Sequence, residues 1–125
     1  MAVRKVSHHR RIISKTPTNI SNIGFGDVIQ FQYISDDIYD RRPMVFVLKK
    51  VGKFLNAINI GYMKEYKVQR LLEEQNPKKL KHYSLYKDSF RTYKIDKMTL
   101  LKMVEYKTDA MIEQEKEIKR DENKL

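Results

Sequence analysis

The chain has 125 residues, 26 lysines and arginines against 16 acidic residues, and a formal net charge of +10. This length fits one domain with tails, because two separate cores would each bury too little surface. The absence of cysteine excludes a disulfide framework and a thiolate zinc site. Because the apolar runs are short, we expect neither a membrane-spanning helix nor a signal peptide. We therefore expect a soluble, cytoplasmic protein that has no membrane partner.

The first 26 residues are predicted to form an extended basic arm that ends in a loop. They show no clean apolar period, they contain Pro17 and several turn-forming residues, and residues 1–20 carry no acidic side chain. An arm of this kind contacts phosphates or an acidic protein surface, unless it serves only solubility. Its basic residues are Arg4, Lys5, Arg10, Arg11 and Lys15.

The next part of the chain has the period of β-strands. Apolar side chains alternate with mostly polar ones over residues 27–34, as in a half-buried antiparallel strand. Residues 44–48 are apolar on both faces, which predicts a central strand with Pro43 at its start. A turn at Gly52 leads to a third strand over residues 54–60. We expect these strands to form a meander.

A helix is predicted after the third strand. The sequence "MKEYKVQRLLEEQ" repeats apolar residues at helical spacing, and Asn76-Pro77 ends the pattern. We expect this helix to pack across an open end of the sheet. Its predicted apolar side comprises Tyr62, Tyr66, Val68, Leu71 and Leu72.

The last third of the chain predicts one more strand and a second helix. Residues 89–95 alternate as a fourth strand would, and Asp96 is placed to cap a helix that follows it. Residues 113–125 are charged nearly all round, which predicts a solvent-exposed helical tail. The apolar residues at helical spacing in this second helix are Leu100, Leu101, Val104, Met111 and Ile112.

These elements predict an α+β fold in three parts. Residues 1–26 form the basic arm, residues 27–112 form a single β-rich domain with helices, and residues 113–125 form the charged helical tail. Because the sheet is short and has glycines near its bends, we expect a small SH3-like antiparallel β-barrel or a curved sheet. An amphipathic helix and a C-terminal helix accompany it.

No pattern in the chain predicts a catalytic residue or a bound metal. His8 and His9 are adjacent and point in different directions on a regular element, and His82 is far away in sequence. The three aspartates within residues 36–40 lack the ligand spacing and the glycine of a calcium loop. Gly-rich phosphate loops, nucleophile elbows and zinc-protease helices are absent from the sequence. We expect no cofactor, no metal and no small-molecule substrate.

The sequences "GFGDVIQFQY" and "DRRPMVFVL" resemble the start of the PemK/MazF-type toxins, which are SH3-like barrels. In that family the loop between the two strands helps to bind RNA, and an arginine near an Arg-Pro pair works with a downstream serine or threonine to cleave it. The resemblance places Arg41 and Arg42 at the arginine position. Residues 56–62 contain no serine or threonine, so nothing there would activate the attacking 2′-hydroxyl.

A second resemblance covers residues 27–95 and is to a family of small proteins encoded by tailed phages. It rests on "YDRRP" before an apolar strand, on "AINIGY" before an amphipathic helix and on "RTY" later in the chain. It implies a phage virion or phage DNA-handling role. The residues that carry the resemblance are read as a structural signature: Tyr39, Asp40, Pro43, Asn59, Tyr62, Arg91 and Tyr93.

Two interpretations of these polar and aromatic residues remain open. In the structural one, Asn59 bonds a neighbouring loop or strand edge, and Asp40 pairs with Arg91 or caps the turn beside it. In the other, exposed rings and a lysine-rich turn bind single-stranded nucleic acid by stacking. The rings of that platform would be Tyr33, Tyr39, Tyr62 and Tyr93, beside Lys49, Lys50 and Lys53.

Three functional hypotheses follow. The first is a non-enzymatic bacteriophage virion structural and assembly protein, assembled in the host cytoplasm, whose basic arm and C-terminal helix contact other virion proteins. The second is a module that binds DNA or RNA through the arm and the lysine-rich turn, and the third is a PemK/MazF-like ribonuclease. The residues expected to contact nucleic acid or an acidic partner are Arg4, Lys5, Arg10, Arg11, Lys15, Arg41, Arg42, Lys49, Lys50 and Lys53.

Overall fold

The structure, a computed structural model, describes residues 10–34, 41–73 and 86–123. These residues form a six-stranded antiparallel sheet and two α-helices, so the predicted α+β class is confirmed. The elements are β1 (Arg10–Pro17), β2 (Val28–Tyr33), β3 (Met44–Val51), β4 (Phe54–Asn59), α1 (Glu65–Glu73), β5 (Phe90–Lys94), β6 (Met98–Thr108) and α2 (Asp109–Asn123). The strands lie in the order β1-β6-β2-β3-β4-β5, and no pairing among the described residues joins β1 to β5, so the sheet is not closed.

The predicted meander is confirmed for β2, β3 and β4, which are consecutive neighbours in the sheet. β2 alternates as expected, with Ile29, Phe31 and Tyr33 buried and the two glutamines between them half-buried. The first half of β3 is buried on both faces, because Met44 and Phe46 pack into one apolar cluster and Val45 and Val47 into a second cluster on the opposite face. Gly52 turns β3 into β4 at a φ of +58°, a left-handed conformation that glycine adopts without steric cost.

The sheet curls so strongly that β2 and β5, three strand positions apart, touch through their side chains. At about 4.8 Å per strand, a flat sheet would separate them by about 14 Å. The ring centroids of Tyr33 and Tyr93 lie 5.1 Å apart in an edge-to-face contact, and the Lys94 N–H donates a 3.0 Å hydrogen bond to the Tyr33 hydroxyl. The concave face encloses what we call the inner cluster: Ile23, Ile29, Phe31, Tyr33, Val45, Val47, Leu55, Ala57 and Tyr93.

Helix α1 covers part of the convex face of the sheet. Val68 and Leu71 are fully buried there in one cluster with Phe46 of β3. Burying each such side chain contributes about 1.5 to 3 kcal/mol to stability. The predicted apolar side of this helix also includes Tyr62 and Tyr66, which is wrong, because these side chains are 82% and 58% exposed. Tyr66 lies two residues before Val68 and therefore points away from the sheet.

The sheet begins earlier in the chain than the predicted domain boundary at residue 27. β1 pairs antiparallel with β6 from Arg10, opposite Thr108, to Pro17, opposite Lys102. The part of the predicted arm over residues 10–17 is therefore an edge strand. No apolar alternation marks β1, because its described side chains are all exposed. Residues 1–9 of the predicted arm lie outside the described residues.

The helix predicted from Asp96 is wrong over its first half. Residues 98–108 form β6, and the helix begins only at Asp109. Met98 and Leu101 are three residues apart and yet both pack against the inner cluster. A spacing of three residues between apolar positions is typical of a helix and explains the error.

A β-bulge produces this spacing. Gln30 of β2 pairs with Lys102 of β6, and Gln32 pairs with Thr99, so β6 has one residue more than β2 between these pairs. Leu100 lies within the bulge and adopts a φ of 53°. The extra residue shifts the alternation of β6 by one position, which a sequence pattern alone does not reveal.

A salt bridge connects α2 to β6. The Lys107 Nζ lies 2.6 Å from Glu115 Oε1 and 3.7 Å from Glu105 Oε2. The hydrogen bond to Glu115 raises the pKa of Lys107 above its usual value of 10.5, against a smaller effect of desolvation. Residues 113–118 of α2 are exposed.

Candidate functional site

A shallow basic concavity lies on the convex face of the sheet, next to the part that α1 covers. Val28 and Val104 belong to the cluster under α1. Gln30 is two residues after Val28, and Lys102 is two residues before Val104, so both side chains share that face. The concavity has a volume of about 190 Å³ and is lined by Lys15, Gln30, Phe31, Gln32, Arg42, Leu100 and Lys102.

The strand register brings the three cations of this concavity together from distant parts of the sequence. Lys102 of β6 lies between Pro17 of β1 and Gln30 of β2. Lys15 precedes Pro17 by two residues, and Arg42 precedes the first residue of β3, the strand on the other side of β2, by two residues. Three adjacent strands and the bend before a fourth therefore supply the cations and amides of one site.

Arg41 and Arg42 form a bend whose backbone is hydrogen-bonded to β2. The Tyr33 N–H donates to the Arg41 carbonyl at 2.9 Å, and the Gln30 side-chain amide donates to the Arg42 carbonyl at 3.3 Å. Pro43, the next residue, is buried, while both arginines are exposed. The Arg-Arg-Pro segment is thus a fixed strand junction that presents its arginine side chains at the surface.

The described lining suits the binding of an anion. It carries two ammonium groups, one guanidinium and two amides, and no carboxylate, hydroxyl or imidazole. A guanidinium donates two parallel hydrogen bonds to a phosphate, and an ammonium acts as a compact point charge beside it. Residues 35–40, which precede Arg41, lie outside the described residues.

The lysine-rich turn between β3 and β4 forms a second basic region that shares no lining residue with the concavity. Lys49, Lys50 and Lys53 are exposed, as a binding role requires. The Lys50 Nζ donates a 3.0 Å hydrogen bond to the Ile20 carbonyl, which holds the β1–β2 connection against the turn. Lys49 and Arg91 line a more open depression of about 430 Å³.

The residues of the structural signature do not form one group. Asn59 is buried, and its Oδ1 accepts a 2.9 Å hydrogen bond from the Gly61 N–H, which fixes the end of β4. The Arg91 guanidinium donates to the backbone carbonyl of Phe90, the first residue of β5, and to that of Asp88, two residues earlier. Tyr39 and Asp40 lie outside the described residues, so the predicted pair of Asp40 with Arg91 stays a prediction.

The predicted tyrosine stacking platform is wrong for two of its members. Tyr33 and Tyr93 are 3% and 0% exposed, because their rings fill the inner cluster. A ring enclosed on both faces has no surface on which a base can stack. Tyr62, in contrast, is among the most exposed large side chains of the described residues.

The basic residues of the predicted arm have different locations. Lys15 lines the concavity, and Arg10 and Arg11 are the first two residues of β1. Arg4 and Lys5 lie outside the described residues. The arm prediction therefore identified one described member of the concavity, although for a free arm rather than for a strand.

Three polar members of the concavity were not among the predicted binding residues. Gln30 and Gln32 are visible in the sequence as the polar side of β2, but nothing there marks them as a binding surface. Lys102 was assigned to a helix, and only the pairing of β6 with both β1 and β2 places it beside Lys15.

Within the described part of the chain, no group of three or more His, Cys, Asp or Glu residues is placed to hold a metal ion. No helix there is long and apolar enough to cross a membrane. Comparison of the whole chain with protein-family models, with curated proteins and with solved structures gives no match.

Proposed function

We propose that this protein is a non-enzymatic module that binds the phosphate backbone of nucleic acid. The observation that carries the proposal is the convergence of Lys15, Arg42 and Lys102 in one concavity, whose described lining has no acidic side chain. Each cation that neutralises a phosphate releases condensed counterions, which favours binding. Three cations held together by strand pairing therefore suit a polyanion better than a neutral ligand.

The other features of the surface agree with this role. Gln30 and Gln32 supply amide donors, which bind phosphate and sugar oxygens in nucleic-acid complexes. The net charge of +10 accelerates encounter with a polyanion at low salt. Neither feature selects a base sequence, so the expected binding is weakly sequence-specific.

The proposal includes an SH3-like barrel, left partly open, as the scaffold of this surface. Support comes from the contact of Tyr33 with Tyr93 and from the hydrogen bond that Tyr33 accepts from Lys94. These contacts bring β2 and β5 together without strand pairing. Small, partly open barrels are also known as scaffolds that bind oligonucleotides on one face.

The test is a salt titration of the affinity for single-stranded and double-stranded oligonucleotides, measured by fluorescence anisotropy. The wild-type protein should lose affinity steeply as salt rises. In the variant Lys15→Ala/Arg42→Ala/Lys102→Ala, the negative slope of log K against log salt should become shallower by about 2 to 3. Each lost phosphate contact reduces the magnitude of this slope by about 0.7 to 0.9.

A control variant removes the same charge from other exposed positions: Lys94→Ala/Lys97→Ala/Lys116→Ala. It should keep a slope close to that of the wild type. Equal slopes for the two triple variants, or no measurable affinity of the wild type near physiological salt, would contradict the proposal.

The proposal expects no cleavage of RNA, since the described lining holds no carboxylate, imidazole or hydroxyl beside Arg42 to act as a general base. A labelled single-stranded RNA should keep its length during incubation with the wild-type protein at high concentration. Shortened RNA that disappears with Arg42→Ala and persists with Lys15→Ala would instead favour a ribonuclease of the PemK/MazF type.

Virion assembly is the second candidate function. The observation that favours it is the exposed run 113–118 of α2, a charged helical segment whose base is held to the body by Lys107 and Glu115. Such a segment suits contacts with neighbouring subunits. Mass spectrometry of purified phage particles from the source of this gene would test the proposal, and absence of the protein there would count against it.

A further inference from the structure

We propose that Tyr62 and Tyr66 extend the basic surface into a base-stacking surface, so that the preferred ligand is single-stranded nucleic acid. This inference rests on the proposed function and names the form of its ligand. The two side chains are 82% and 58% exposed. Tyrosine in a small domain is more often buried in the core, as Tyr33 and Tyr93 are here.

Tyr62 leaves the sheet at the end where Arg42 enters it. The Ile60 N–H donates a 2.9 Å hydrogen bond to the Met44 carbonyl, so the end of β4 lies beside the start of β3. Arg42 precedes Met44 by two residues, Tyr62 follows Ile60 by two, and in antiparallel strands both steps lead the same way. Each two-residue step covers at most about 7 Å, and paired Cα atoms of antiparallel strands lie about 5.5 Å apart, so the Cα atoms of Arg42 and Tyr62 lie within about 20 Å.

Helix α1 carries the second ring on its outward side. Tyr66 and Arg70 are four residues apart, and both are exposed, so they share the face opposite Val68 and Leu71. The buried side fixes the orientation of the helix. A base stacked on Tyr66 would therefore have a guanidinium beside it for the adjoining phosphate.

Stacking on these rings distinguishes a single strand from a duplex. The faces of paired bases are covered by their neighbours, whereas an unpaired strand exposes a flat face at each nucleotide. Every base has such a face, so the rings add affinity without sequence preference. Because they contact no phosphate, they add nothing to the salt dependence, and this separates their effect from that of the concavity.

The experiment compares the affinities of an oligothymidine and of a duplex of equal length at fixed salt. Tyr62→Leu and Tyr66→Leu should each weaken single-strand binding by roughly 5- to 100-fold and change duplex binding little. Tyr62→Phe and Tyr66→Phe should keep the wild-type affinity, because the ring and not the hydroxyl makes the contact. Leucine keeps an apolar side chain at an exposed position, so the fold should persist.

Ile118→Ala, at an exposed apolar residue of α2, serves as the control and should leave both affinities unchanged. Suppose that the leucine variants bind the single strand like the wild type, while the concavity variant Lys15→Ala/Arg42→Ala/Lys102→Ala shows a weaker salt dependence of its affinity. The stacking inference is then wrong, and the phosphate-binding function stands. The exposed rings would then suit a protein partner, since tyrosine is enriched at interface hot spots. If the concavity variant also keeps its slope, both proposals fall.

Discussion

Leu100 occupies a backbone conformation that its side chain disfavours. Its φ of 53° lies in the left-handed region, where the Cβ atom of most residues crowds the following carbonyl. The side chain is 72% exposed, so little packing compensates for this cost. Leu100→Asn should raise the free energy of unfolding by about 0.5 to 1 kcal/mol, because asparagine tolerates this region, and Leu100→Val should lower it by about 1 kcal/mol. Urea unfolding measures both.

The neighbouring Thr99 provides the matched control for this prediction. It is exposed in the same strand, and its φ lies outside the positive region. At position 99 the valine variant should be more stable than the asparagine variant, because valine suits an extended strand better than asparagine does. An asparagine at position 100 that is less stable than valine at the same position would show that the bulge imposes no left-handed conformation in solution.

Among the elements, the strands that alternate on a half-buried surface could be predicted and the others could not. β2 shows its pattern because one face meets the inner cluster and the other carries glutamines. β1 has only exposed described side chains, so nothing in its composition separates it from a free arm. β6 alternates correctly on either side of Leu100, but the bulge joins the two halves out of phase. Tertiary pairing, and not local propensity, defines both of these strands.

The attachment of α2 to β6 should depend on pH through Lys107. Its pKa is raised above 10.5 by the hydrogen bond to Glu115, so the charged form is the one that the folded state favours. A raised folded-state pKa gives a stabilisation that is complete below the unfolded value and is lost as the pH rises through the folded value. In thermal unfolding followed by circular dichroism, the wild type should therefore have a higher melting temperature than Glu115→Gln at neutral pH. This difference in melting temperature should vanish well above about pH 10.5.

Glu117→Gln removes the same charge from an exposed position of the same helix and serves as the control. The difference in melting temperature between Glu117→Gln and the wild type should not change over the alkaline range in which Lys107 titrates. If the melting temperatures of the wild type and Glu115→Gln still differ at pH values far above the usual lysine range, the salt bridge between Lys107 and Glu115 does not hold the helix.

At the scale of the whole molecule, the candidate site exists only because the sheet orders its strands differently from the chain. Lys15 comes from the first strand and Lys102 from the last, and they are neighbours because β6 returns between β1 and β2. The sequence predicts the basic character of both segments, but no local pattern predicts this return. The position of Arg42 was easier to predict, since the Arg-Arg-Pro segment adjoins a strong strand pattern.

The curl of the sheet should depend measurably on the Tyr33 hydroxyl, which joins β2 to the outer edge of β5 by accepting the Lys94 N–H. Tyr33→Phe keeps the ring contacts with Phe31 and Tyr93 and removes only this bond. The free energy of unfolding should fall by about 0.5 to 1.5 kcal/mol, the net value of such a bond. Urea unfolding measures the change, and amide exchange should show faster exchange at Lys94. Tyr66→Phe, at an exposed ring, should stay within about 0.5 kcal/mol of the wild type. Equal stability of the two variants would mean that inner-cluster packing alone holds the curl.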